Sequence, residues 1–180
     1  PGEIRMLANQ APEPHATLIL TLAYTGMRIG EALALRVGDL DPDRRRLNVT
    51  KTQSVDVRLH TIETLPKGNR TRTVPYPIGL EARLLALCEG RNQDAYLFRA
   101  PRGGYWQANN WRSRIWRPLL RDVGMDDIEG LSIHSLRHSY ASIAIKNGCD
   151  VKTLQTILGH ASATETLDTY ADLWPDRLSE

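Results

Sequence analysis

The sequence predicts an α+β domain, mainly helical, with a small three-stranded antiparallel sheet at one edge. Two patterns carry this expectation. Apolar residues recur at helical spacing before residue 39 and after residue 77, whereas residues 44 to 76 alternate in short runs rich in Val, Thr, Leu and Ile. A third observation bounds the size: 180 residues, 41% of them hydrophobic, suffice for one domain with its own core.

The opening PGEIRMLANQAPEP carries three prolines and little periodicity, so residues 1–12 read as a linker remnant and residues 13–180 as the domain proper. From His15, the residues Leu18, Ile19, Leu22 and Ala23 form a helical stripe that ends at Thr25 and Gly26. A second helix follows at once, with Ile29, Leu33 and Leu35 to bury, and is expected to stop near Gly38. The runs RRLNVTKT, DVRLHTIETL and RTRTVPYP read as the three strands. Pro66-Lys67-Gly68-Asn69, between the second and third runs, is a turn sequence that places Lys67 near the tip of a hairpin.

The helical pattern returns after Pro77 with Leu80, Leu84, Leu85 and Leu87, and again with Trp106, Trp111, Ile115, Trp116, Leu119 and Leu120. Tryptophans at this spacing are core anchors. Beyond Ile133, the residues Leu136, Tyr140, Ile143 and Ala144 recur at helical spacing and Gly148 marks the end, which leaves His134, Arg137, His138 and Ala141 on the opposite face. A short helix from Asp150 through Leu158 precedes Gly159 and His160. One more turn or short helix then leads to Tyr170, expected half-buried near Trp174.

A net charge of +2 does not by itself identify a partner, although the arginines gather in clusters at 44–46, 70–72, 99–102 and 112–121. Cys88 and Cys149 have neither CxxC nor disulfide-framework spacing and read as free thiols in a reducing compartment. There is no signal-peptide pattern and no apolar run of membrane-spanning length, so a soluble, intracellular protein is expected.

The chemistry is concentrated in TGMRIGE and HSLRH. Arg28 opens a helix after a glycine break, with Glu31 three residues on, where backbone amides and a guanidinium together favour an anion. His134 and His138, four apart, resemble half of a zinc site, and with His160 they leave a zinc-binding reading open. Arg137 between them and the missing glutamate of HExxH favour an anion instead.

Taken in order, TGMRIGE, PKGNR, HSLRH, LGH and Tyr170 resemble the catalytic domain of the tyrosine recombinase, or phage-type integrase, family, over about residues 13 to 174. The resemblance implies Arg28 and Arg137 as the two catalytic arginines, Lys67 as the hairpin lysine and general acid, and Tyr170 as the nucleophile. It matches His134 and His160 to the family's two histidines, with Glu31 and His138 in support. A phenol needs a base near pH 7, and we assign that role to His134 and donation to a non-bridging phosphate oxygen to His160, an order that the sequence leaves open to exchange. Arg70, Arg72, Arg112, Arg114 and Arg117 become candidates for contacting DNA. The implied reaction is attack of Tyr170 on a phosphodiester to give a 3′-phosphotyrosyl link and a free 5′-hydroxyl, with no cofactor, no metal and no ATP.

The implied partner is double-stranded DNA. The full-length protein is expected as a homo-tetramer on DNA with a possible directionality factor, whereas this chain, without the family's N-terminal DNA-gripping domain, is expected as a monomer that binds weakly. The implied location is the cytoplasm of a prokaryote, or of a phage host, in association with DNA. Two alternatives stand beside this reading: a type IB topoisomerase-like relaxing activity, and a non-catalytic DNA-binding module that keeps the fold.

Overall fold

The computed structural model describes residues 2–56, 58, 60–66 and 71–174. The chain opens with helix α1 (Gly2–Gln10), followed by α2 (His15–Thr25) and the short α3 (Ile29–Ala34). Residues 1–12 are therefore not a linker remnant. The prolines lie at positions 1, 12 and 14, outside the helix interior, and Ile4, Leu7 and Ala8 form a stripe at helical spacing that is buried against the core.

Helix α2 is buried on nearly every side, packed by α1, α3, α4 (Ile78–Cys88) and α7 (Ile133–Lys146). Its polar residues are satisfied locally: Thr21 and Thr25 donate their hydroxyls to the carbonyls of Thr17 and Thr21, at 2.8 and 2.6 Å. Helix α3 stops at Ala34, short of the expected end near Gly38. Beyond it the backbone pairs with a distant loop, through Leu97 N–H to Leu35 O and Val37 N–H to Ala95 O, and these contacts override local helical pattern.

Strands β1 (Leu40–Asp41), β2 (Arg46–Val49) and β5 (Arg72–Pro75) form an antiparallel sheet in the order β1-β2-β5, with Leu47 opposite Val74 and Val49 opposite Arg72. The expected sheet of three strands is present, but its membership differs. The second run supplies β4 (Thr61–Thr64), which pairs with β3 (Thr52–Val55) in a separate two-stranded ribbon rather than with the third run. Asp56 decides this, because its carboxylate accepts from the N–H groups of Arg58 and His60 at 2.8 and 2.7 Å and turns the chain there. The ribbon is fastened by Glu63, which receives Arg36 Nη2 on both oxygens at 2.8 Å and the Tyr96 hydroxyl at 2.7 Å, while the Arg36 guanidinium lies 3.4 Å from the Tyr96 ring centroid. The expected hairpin tip, Lys67, and the neighbouring Arg70 lie outside the described residues.

Helix α5 (Ala108–Trp111) continues through a π-helical stretch, Arg112–Trp116, into α6 (Arg117–Asp122). Trp111 and Trp116 are buried core anchors, as their spacing predicts, with Trp111 Nε1 donating to His15 Nδ1 at 3.2 Å. After α7 come α8 (Val151–Leu158) and α9 (Ala163–Tyr170). Two apolar clusters result: a large one around α2, the sheet and the tryptophans, and a small one of Ala141, Ile145, Leu154, Leu158 and Tyr170 with Trp174 packed on it. Helix α7 joins them, giving Ile133 and Leu136 to the first and Ala141 and Ile145 to the second. Arg137 and Ala141 are thus interior, whereas His134 on the same face is exposed. Among the described residues no helix is long and apolar enough to cross a membrane.

If α1 belongs to the folded unit, Leu7→Ala will destabilise the protein by about 2–5 kcal/mol in urea melts, as large-to-small core changes do. A linker residue would leave the midpoint unmoved.

Candidate active site

The site assembles on the last turn of α8, whose carbonyls have no partner further along the helix. Leu158 O accepts from Arg137 Nη2 at 2.8 Å and from Arg28 Nη1 at 3.4 Å, and Ile157 O accepts from Arg72 Nε at 2.8 Å. Three guanidiniums from α7, the α2–α3 junction and β5 thus meet at the negative end of one helix dipole. Gly159 ends the helix in the left-handed conformation (φ 67°), and a Cβ there would stand 2.8 Å from Arg72 Nη1. Only glycine combines that backbone with that contact.

Arg137 is 2% exposed. Its other bond, from Nη1 to Gly26 O, measures 2.6 Å, so among the described residues its hydrogen bonds go to backbone carbonyls rather than to a carboxylate. Burial and then the Arg28 charge bring its pKa down to about 10, which leaves it cationic near neutral pH and short of negative charge. Arg28 is 23% exposed, and among the described residues its guanidinium bonds run from Nη1, at 3.4 Å to Glu31 as well as to Leu158 O.

Glu31 is buried and is held chiefly by Arg72 rather than by the expected partner Arg28. Arg72 Nη1 and Nη2 donate to its two oxygens at 2.9 and 2.8 Å, while Arg28 gives its backbone N–H at 2.9 Å, capping α3. Burial pushes the Glu31 carboxyl up, but hydrogen bonds and charge from Arg72, then from Arg28, outweigh it and hold the group below the usual carboxylate range. Arg72, expected to contact DNA, is turned inward and fully engaged.

Tyr170 is buried, and its hydroxyl lies 2.9 Å from His138 Nδ1 with the rings edge to face. His138, read from sequence as a supporting residue, is therefore the histidine that touches the phenol. His134, assigned as general base, stands one step back: its ring meets that of His138 edge to face at 4.7 Å, with one side packed in the site and the other open to solvent. Burial lowers the pKa of both histidines, reinforced for His138 by Arg137 and for His134 by His138, Arg137 and Arg28. Both are neutral near pH 7, so His138 Nδ1 can accept the phenolic proton. Burial raises the pKa of Tyr170 above the usual phenol value, and the charges of Arg137 and Arg28 offset only part of that rise.

His160 follows the α8 end, and its Nδ1 is 2.8 Å from Thr166 Oγ1 on α9, which fixes the ring between the two helices. Neither Thr166 nor the inward turn of Arg72 is announced by a motif. A signal for Arg72 did exist, since it shares a strand face with Val74, a core residue. Arg112, Arg114 and Arg117 are exposed; Arg112 and Arg117, with Arg121, line a groove of about 380 Å³ that runs to Ser132 and Ile133 at the start of α7. His134, His138 and His160 do not form a ligand cage: among the described residues no three His, Cys, Asp or Glu side chains are grouped so as to hold a metal ion.

Two arginines gathered at one helix end, beside a tyrosine bonded to a histidine, form one cationic cluster on a mainly helical α+β scaffold. The chain belongs to the phage integrase family, whose model matches residues 3–177. It is 31% identical over 184 residues to the tyrosine recombinase XerD of Neisseria meningitidis serogroup A, covering 94% of this chain and 56% of that protein. It is 33% identical over 168 residues to the tyrosine recombinase XerC of Brucella melitensis biotype 1, covering 90% of this chain and 47% of that protein. The chain thus spans about half the length of the curated relatives it matches. Among solved structures, the Tn1549 transposon integrase in complex with circular intermediate DNA shares its fold, with a TM-score of 0.77 at 22% identity, covering 98% of this chain and 61% of that one. The catalytic domain of bacteriophage HP1 integrase does so with a TM-score of 0.64 at 22% identity, covering 99% of this chain and 88% of that one.

Gly26, the acceptor for Arg137, also sits in the left-handed region (φ 65°), and a Cβ there would stand 2.5 Å from Tyr140 Cδ1. Gly26→Ala is expected to cost about 2 kcal/mol or more in thermal or urea melts, from backbone strain and the displaced ring.

Proposed function

We propose that this chain is the catalytic domain of a site-specific DNA recombinase, an integrase of a phage or other mobile element, which cuts and rejoins double-stranded DNA through a covalent 3′-phosphotyrosyl intermediate. The observation that carries this reading is the Tyr170 hydroxyl bonded to neutral His138 at 2.9 Å, within the field of Arg137 and Arg28 of the same chain. Family membership supports it.

A phenol of pKa about 10 is only about a thousandth ionised at pH 7, so attack requires a base. His138 Nδ1 takes the proton as Tyr170 Oη bonds to phosphorus and the bond to the 5′-oxygen breaks. The pentavalent transition state places extra negative charge on the non-bridging oxygens, which Arg28 and Arg137 meet with forked donors. His160, oriented by Thr166, donates to the same oxygens. Lys67 supplies the proton to the departing 5′-oxygen, and His134 sustains His138 from the outer side. Rejoining runs these transfers backwards, with a 5′-hydroxyl attacking the phosphotyrosine. The phosphoester bond is conserved throughout, so no nucleotide energy source is needed.

The exposed Arg112, Arg114 and Arg117 are assigned to duplex phosphates, with the groove leading to α7 as the approach. A tetramer on DNA and a directionality factor are assigned to the whole protein. Solved relatives named as bound to DNA, among them the Tn1549 integrase and the XerH recombinase, support DNA as the partner.

The test traps cleavage on nicked suicide duplexes drawn from sequences flanking the gene and resolves protein–DNA adducts on a denaturing gel. A band is expected with the wild-type chain and none with Tyr170→Phe. Arg28→Met and Arg137→Met are each expected to slow adduct formation by the equivalent of about 3 kcal/mol or more. DNA binding without an adduct on any duplex would favour a non-catalytic module.

The roles of the two histidines separate by pH. A base must be deprotonated, and burial places the His138 pKa below 6.5, so the acid limb of the cleavage rate should fall below pH 6.5 and vanish in His138→Gln, with about 10²-fold lower rate. If His134→Gln rather than His138→Gln removes the limb, His134 is the base.

A further inference from the structure

We propose that Arg72 is a positioning residue of this site: by holding both oxygens of Glu31 it frees Arg28 for the phosphate, and by docking on Ile157 O it fixes β5 to the end of α8. The inference rests on the strand-transfer reading above for its consequence, but its structural basis stands on the contacts themselves.

Glu31 is the one carboxylate in direct contact with Arg28 or Arg72 among the described residues, and it faces positive charge from three elements. Arg28 precedes its own helix, Arg72 reaches it from β5, and Arg137 adds its charge from α7. The sharing is unequal. Arg72 is 7% exposed and donates twice at 2.8–2.9 Å, whereas Arg28 is 23% exposed and its guanidinium reaches Glu31 only at 3.4 Å. A bidentate arginine saturates a carboxylate far better than one long contact. Without Arg72, a buried carboxylate would lose its main partner, and the nearest guanidinium able to replace it would be that of Arg28. The catalytic arginine would then be drawn from the phosphate toward Glu31.

The third donor of Arg72 adds a mechanical part. Its Nε bond to Ile157 O and its contact with Gly159 set the last turn of α8, whose next carbonyl orients Arg137 and whose continuation carries His160. Arg72 thereby governs two catalytic arginines and a histidine without itself touching DNA.

Arg72→Met and the double variant Arg72→Met/Glu31→Gln separate this from a merely structural ion pair and from a phosphate contact. In thermal melts, Arg72→Met strands the Glu31 carboxylate and raises its pKa, so the loss of stability should be largest near about pH 8 and shrink toward about pH 5 as the carboxyl protonates. The double variant should show no such dependence. In the adduct assay on the trapped duplex, Arg72→Met is expected to be about 10²-fold slower, the scale of a misplaced catalytic group, and the added Glu31→Gln to recover about tenfold or more. The double variant should bind duplex DNA with the wild-type salt slope.

A pH-independent loss of stability, a double variant no faster than Arg72→Met, or a salt slope reduced by about one would overturn the proposal. A wild-type chain that forms no adduct would sink the strand-transfer reading instead, and the melting curves would still decide whether Glu31 depends on Arg72.

Discussion

A buried guanidinium held by backbone carbonyls is the constraint around which this domain is arranged. Arg137 donates to the carbonyls of Gly26 and Leu158, and those two bonds tie the α2–α3 junction to the end of α8 through the middle of α7. Partial negative charges on carbonyls offset part of the cost of desolvation and no more, which is why its pKa is pulled to about 10. With Arg28 and Arg72 nearby and Glu31 the one carboxylate in contact with them among the described residues, three guanidiniums face one acid. The surplus of positive charge is a standing demand for an anion, and a low-dielectric setting makes that demand worth more than it would be in water.

The glycines at 26 and 159 follow from the same constraint. Each ends a helix in the left-handed region, and each leaves no room for a side chain: Tyr140 and Leu158 crowd the first, Arg72 the second. Helix termini brought this close can present backbone carbonyls to arginines only if the turn carries no Cβ. Capping, packing and electrostatics are solved together at these two positions.

Much of this was legible in the sequence, and the failures have physical causes. The helices around His15–Thr25 and Ile133–Lys146 follow from apolar spacing, and Arg28, Arg137, His138 and Tyr170 from short motifs whose members the fold brings together. The helix at Gly2–Gln10 is hidden in the sequence by its flanking prolines, which as local turn signals outweigh the short Ile4, Leu7, Ala8 stripe. The pairing of β3 with β4 depends on the Asp56 turn, a local competitor to the Pro-Lys-Gly-Asn turn that sequence alone does not rank. Which histidine meets Tyr170 was invisible, because it depends on how α9 packs over α7, a long-range matter. The burial of Arg72 was written in its alternation with Val74, but an arginine beside a turn reads first as a surface residue.

The bond between Tyr170 and His138 lies within a single chain, as do the contacts of Arg28 and Arg137 with the α8 terminus. A tyrosine already seated beside a histidine and two arginines of its own chain owes none of these contacts to a neighbouring copy. Should copies gather on DNA, each would bring these particular contacts with it already made.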